Sequence, residues 1–261
     1  MSISMAEGKG KAPSMRALRP LAVIVDPIGA VPRAVEARGW VVPLLLAMSL
    51  SAGASAAIAT RLDTARIVIP KLEAAGELSK VSEREISEQV EQAQRVAIVA
   101  GVAKGVLLVP LLALLAAGGL WVCSWLVGGR GTFAELFTVV CLALLPMAVG
   151  QGITLASALR QQSLTPKLAT SLVPSSLSAV IDEPAPTQRP GWKATATKSL
   201  VGLVDFFHVW SALLLGLGFA AATKRPRWFA TSFGVLLYFL VIAAVTIGVP
   251  GLGDGGSGGP R

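Results

Sequence analysis

Few side chains within the apolar stretches of this chain could carry a proton, hold a metal or attack a bond: Lys104, Glu135, Asp205, His208, Cys123 and Cys141. A charge at the centre of a membrane helix costs about 3 kcal/mol on insertion scales, so each ionisable one is a functional candidate until a structural duty accounts for it. Lys104 precedes a complete apolar run and reads as a side chain that snorkels to the surface. Glu135 follows Thr132 by three residues, the spacing of a capping box. Asp205 and His208 are also three apart, which predicts one helix face, about 9 and 14 Å below the outer end of their span at 1.5 Å per residue. Two readings of the pair stay open. It shares a proton and lines a path for protons, ions or a small solute, or it is a mutually satisfied polar contact that locks two helices together.

Other chemistry fails on counting. His208 is the only histidine, and with Cys141 alone able to share its depth there are too few ligands for the four a structural zinc takes, so neither a metal nor a cofactor is expected. No H-E-x-x-H or G-x-S-x-G occurs, and a serine hydrolase triad would have only His208 for its base. Gly251-Leu252-Gly253-Asp254 matches the G-x-G-D of intramembrane aspartyl proteases in letters only, because it lies in a glycine-rich tail without a facing aspartate. An enzyme is therefore not expected.

The elements that must position these residues are membrane spans. The chain is 53% hydrophobic and 15% charged, where a soluble domain carries roughly 25% charged residues. Its apolar residues fall into runs long enough to cross about 30 Å of hydrocarbon. The reading is an all-α polytopic bundle of five transmembrane helices, about 40–60, 106–127, 133–159, 199–222 and 228–249, with a short N-terminal interfacial helix and an extended second helix. Residues 1–25 read as a disordered tail, 26–39 as an amphipathic helix on the membrane surface and 250–261 as a flexible tail. Asp26 followed by Pro27 marks the start of the interfacial helix. Ser82 and Glu85 make a capping box, and no breaker separates the charged helix they start from the second span. Gly128–Gly131 form a tight turn, after which Thr132 and Glu135 open the third span. Pro110 and Pro146 are expected to kink the second and third spans. Ala93, Ala97, Gly101 and Gly105 recur every four residues, as do Ala212, Gly216 and Ala220, giving two ridges where another helix can approach closely. Spacing alone leaves open whether that helix belongs to the same chain or to a second subunit.

The net charge of +8 does not point to nucleic acid, because the basic residues flank the apolar runs rather than forming a stripe interleaved with aromatics. The partners expected are the lipid bilayer and other membrane proteins or further copies of the chain. With the N-terminus inside, the inner segments hold 10 Lys and Arg in about 50 positions and the outer ones 12 in about 87, and the short Lys224-Arg225-Pro226-Arg227 loop is of the kind that decides orientation. This predicts a multi-pass protein of the cell inner membrane with a cytoplasmic N-terminus and an extracytoplasmic C-terminus.

Three stretches, DPIGAVPRAVEARGWVVPLLL (26–46), GGRGTFAELFTVVCLALLP (128–146) and LVDFFHVWSALLLGLGFAAAT (203–223), together resemble the bacterial branch of the Yip family, five-span proteins named for binding Ypt/Rab GTPases. They cover roughly a quarter of the chain, in the family's order. The resemblance implies the same topology as the charge count. It also implies that Gly131, Thr132, Pro146, Asp205 and Trp210, which match recurrent family positions, are architectural. Eukaryotic relatives contact prenylated GTPases partly through a cytoplasmic region that this chain has only as a short tail, so small GTPase binding is not carried over. Two functions remain expected: a scaffold that organises partner proteins or membrane shape, and a permease or channel built on Asp205 and His208.

Overall fold

The computed structural model describes residues 21–165, 168–169 and 205–248, with the side chains of the last helix through residue 242. In chain order the helices are α1 (Pro27–Glu36), α2 (Val41–Arg61), α3 (Ala65–Ala74), α4 (Glu83–Ala103), α5 (Val109–Leu126), α6 (Phe133–Ala143), α7 (Leu145–Arg160), α8 (Phe206–Thr223) and α9 (Arg227–Gly248). A π turn over Lys104–Leu108 joins α4 to α5 without a break, so that Glu83–Leu126 is one helical rod of 44 residues. Among the described residues there is no strand, only a single parallel bridge between Leu62 and Leu164.

The local signals account for most boundaries. The Asp26 carboxylate accepts from Gly29 N at 3.0 Å, and Pro27 fills the first helical position, where a missing N–H costs nothing. Ser82 and Thr132 each accept from the backbone N–H three residues on, while Glu85 and Glu135 accept from the Ser82 and Thr132 N–H at 2.8 Å. Pro110 cannot donate to the carbonyl of residue 106 and its ring crowds that carbonyl, and the π turn lies over those residues, where widening relieves the clash. Pro146 acts more sharply. The third span is two helices divided at Leu144, because the carbonyl of Leu142 has no N–H to receive from Pro146.

Several readings need correction. Residues 21–25 do not belong to a tail: 21–24 form a 3₁₀ turn whose Val23 is fully buried, with Leu21 and Ile24 packed on the core. The apolar string Leu21–Val25 contributes enough buried surface to order itself against the bundle. Helix α3 was not expected; it follows an Asp63–Arg66 ion pair of 2.8 Å and packs on α4. Helix α8 of the fourth span starts at Phe206, where Asp205 has extended backbone (φ −109°, ψ 145°) and caps it; residues 199–204 lie outside the described residues. Of the short interfacial helix expected after Thr165 only Leu168 and Ala169 are described, both helical, with Leu168 N donating to Thr165 Oγ1 at 3.2 Å; the tails 1–19 and 250–261 lie outside the described residues.

Helix α8 is the hub, packed on α9, α6, α1 and α7, while α2 lies between α7 and the α4 rod. Two ends of the bundle can be told apart from their ties. At one, Arg225 donates to the Val127 carbonyl, Trp40 meets Phe137 edge-on at 5.3 Å, and α1 packs on α6 and α8. At the other, Arg61 donates to the Gln161 carbonyl, Asp63 N donates to Leu164 O at 2.8 Å, and Gln94 donates to Thr60 O at 3.0 Å.

Candidate functional site

Four polar side chains of the spans, Asp205, His208, Ser211 and Tyr238, lie along the α8–α9 boundary. Asp205 is placed there as the N-cap of α8, with Oδ1 accepting from Phe207 N at 2.9 Å. Its other oxygen, Oδ2, stands 3.8 Å from His208 Nδ1, close enough for an ion pair and too far for a hydrogen bond. The pair is therefore brought together, but at the helix end rather than at depth: the expected 9 and 14 Å below the span's end do not hold, because the capping role sets Asp205 at the first turn. Its side chain keeps 13% exposure and that of His208 keeps 20%.

Two neighbours extend this pair. One turn beyond His208 lies Ser211, fully buried, and across on α9 the ring of Tyr238 stands 6.3 Å from the imidazole and beside Ser211. His208 Nδ1 has no partner within hydrogen-bond distance, and Ser211 Oγ has only the Tyr238 hydroxyl beside it, so polar atoms with bonding capacity to spare face this seam. Such atoms are uncommon in native proteins, and each calls for an explanation such as a bound water, an ion or a functional role. The string Asp205, His208, Ser211 and Tyr238 could thus pass a proton or hold a small polar solute at the edge of the bundle. Sequence reasoning missed Ser211 and Tyr238. The available signal was that Tyr238 is the only tyrosine of the chain and sits inside an apolar run.

The other candidates have structural surroundings. Lys104 is exposed on the π turn, and Glu135 is occupied by its capping box with Thr132. Cys123 and Cys141 are free thiols on α5 and α6, and among the described residues no group of three metal-ligating side chains forms. The small-residue ridges mark close helix crossings. A Cβ on Gly101 would stand 2.8 Å from Ser55 Cβ, and one on Gly105 would stand 2.5 Å from the Ala52 nitrogen, so this part of the α4 rod, with Ala97 one turn before it, lies directly on α2. Gly216 meets α9, where its Cβ would be 2.6 Å from the Thr231 carbonyl, and Gly234 of α9, not singled out by spacing, faces it at 2.7 Å. Ala212 and Ala220 are buried on the same helix, and Gly218 takes the Val139 side chain of α6. Gly131 completes a turn pressed against α8, 3.2 Å from the Ala222 carbonyl for an added Cβ.

Within the described residues four helical segments, Val41–Arg61, Glu83–Leu126, Phe133–Arg160 and Phe206–Thr223, are long and apolar enough to cross a bilayer, and α9 is apolar through residue 242. This is a multi-pass α-helical membrane protein. The model of one family, the Yip1 domain, matches residues 21–248, and the chain belongs to that family. Comparison with curated proteins and with solved structures gave no match.

Proposed function

We propose that this chain is a non-enzymatic scaffold or adaptor of a bacterial inner membrane that organises partner proteins or membrane shape. The observation that carries the reading is the α4–α5 rod. Its 44 residues extend about 66 Å at 1.5 Å per residue, twice the hydrocarbon thickness, so half of it stands clear of the bilayer. The projecting part carries the exposed pairs Arg84–Glu88 and Arg95–Glu91 and offers a charged helix face to water. Arg33, Arg38, Arg130, Lys224, Arg225 and Arg227 fall at the bundle end that holds α1, opposite the rod's projection. The opposite end carries Arg61, Arg66, Lys71, Lys80, Arg84, Arg95 and Arg160 in longer segments mixed with acids, so the reading of a cytoplasmic N-terminus, with the rod reaching into the extracytoplasmic space, rests on the short Arg130 and Lys224–Arg227 loops.

Photo-crosslinkers at Ser87 and Gln92 of the rod should trap the same membrane or extracytoplasmic protein, or a second copy of the chain, and one at lipid-facing Leu115 should not. Failure of both rod positions to trap any protein in intact cells would remove the reading. The second reading, a permease or channel, draws on the unsatisfied His208 nitrogen beside Asp205. In liposomes it requires proton or ion flux between pH 5 and 8 that Asp205→Asn and His208→Ala abolish. Flux no greater than that of empty vesicles would exclude it.

A further inference from the structure

A cleft of about 160 Å³ opens between α1, the C-terminal end of α8 and the first residue of α9. Its lining is mixed: Ile28 and Pro32 on α1 and Leu217 and Ala221 on α8 supply apolar surface, and two opposite charges, Glu36 and Arg227, line it with them. Those charges share one cleft without joining: among the described residues neither makes an ion pair or a side-chain hydrogen bond. The cleft lies at headgroup level. Arg227 is followed by Trp228, 77% exposed, Ile28 on α1 faces outward at 60% exposure and Val25, just before that helix, at 89%, the pattern of an aromatic anchor and a surface-lying helix. The volume is roughly five waters, the size of a headgroup rather than of a whole lipid, and the acyl chains would leave along the apolar side.

We propose that this cleft binds a phospholipid whose headgroup carries both a phosphate and a primary ammonium, of the phosphatidylethanolamine class. Arg227 holds the phosphate through its guanidinium, and Glu36 accepts from the ammonium N–H groups. An anionic headgroup without an ammonium could pair with Arg227 but would leave the Glu36 carboxylate with no cation to meet. A choline headgroup has the positive charge and no N–H to donate. The site is independent of what the rod contacts, and it lies away from the Asp205 seam at the other end of α8.

The test uses the full chain in nanodiscs of phosphatidylcholine doped with phosphatidylethanolamine or with phosphatidylglycerol, with native mass spectrometry counting retained lipids. The wild type should retain phosphatidylethanolamine about tenfold more strongly than either of the other lipids, the factor expected of one charge-assisted hydrogen bond. Glu36→Gln should remove that preference and leave phosphatidylcholine retention unchanged. Arg227→Gln should weaken retention of all three lipids, and Arg227→Lys should restore part of it. Both positions are exposed, and an unchanged melting temperature will show that each variant is folded. Equal retention of the three lipids by the wild type, a preference for phosphatidylglycerol, or a phosphatidylethanolamine preference that survives Glu36→Gln would each overturn the assignment. So would equal affinity for soluble phosphoethanolamine, which would make the ligand a free headgroup rather than a lipid.

Discussion

The α6–α7 segment and the α4–α5 rod are both apolar enough to insert, yet 67% of the first one's apolar stretch is buried within the protein and only 17% of the second's. All eight residues from Leu136 to Ala143 are buried, including the polar Thr138, whose hydroxyl donates to the Ala134 carbonyl at 2.8 Å. On α5 only Ala113, Ala117, Leu120 and Ser124 are buried, a single stripe at spacings of four, three and four, and the large side chains Leu111, Leu115, Trp121 and Trp125 face outward. In water the second pattern would be an exposed hydrophobic surface. In lipid it is unremarked, because hydrocarbon solvates leucine as well as a protein core does. Apolarity therefore decides which segments enter the membrane, and small residues mark which faces meet protein.

The largest effects should come from glycines on the two kinds of surface. Gly105→Leu must drive α2 and the rod apart, since the backbone of Ala52 already occupies the added volume, and should cost about 3 kcal/mol or more in a reversible unfolding titration in mixed micelles. Gly118→Leu, where a Cβ meets nothing within 4 Å, should lie within about 0.5 kcal/mol of wild type. An equally damaging Gly118→Leu would mean that the outer face of α5 is covered by another chain.

A deletion pair asks the same question with cavities. Leu142→Ala removes a fully buried side chain in α6 and should cost about 2–5 kcal/mol in the same titration. Leu115→Ala, at 64% exposure on α5, leaves no cavity that lipid cannot fill and should cost under about 1 kcal/mol. If the two losses converge, burial within the protein does not separate the segments and the contrast drawn above fails.

A smaller effect separates charge from capping at the start of α8. Asp205→Ala removes the acceptor for Phe207 N and should cost about 1 kcal/mol, whereas Asp205→Asn keeps an N-cap and should retain most of it. Equal losses would show that the carboxylate acts chiefly through its charge on His208, and would raise the standing of the permease reading.

These contrasts also show what was legible beforehand. Four of the five expected spans were, because length and apolarity alone select them, and so were the starts of α1, α4 and α6, where Asp26, Ser82 and Thr132 satisfy orphan backbone donors by local bonds that spacing reveals. The start of α8 was not. Leu200-Val201-Gly202-Leu203-Val204 continues the apolar run upstream of Asp205, so periodicity placed the aspartate inside a span when its capping bond sets it at the end. Partners of the glycine ridges were hidden for another reason: a period of four names a face, and only the tertiary arrangement names what lies on it. Gly234 follows no such period and still makes one of the closest crossings.

The last pair compares two capping boxes of identical geometry. Thr132 starts α6 against the core, so Thr132→Ala should lower global stability by about 1 kcal/mol. Ser82 starts the rod in water, where the first turn can fray alone. Ser82→Ala should speed amide hydrogen exchange over residues 83–86 and leave global unfolding unchanged. The Ser82 backbone and side-chain donors hold the Glu85 carboxyl below its ordinary range. Its contribution is then complete above the ordinary glutamate pKa and is lost as the pH falls through the depressed folded value. Wild-type exchange in that turn should therefore approach the variant's on acidification, and Ser82→Ala should show the smaller dependence on pH. A global loss from Ser82→Ala would mean that the rod's charged end is held by contacts with the bundle, against its exposure in the fold.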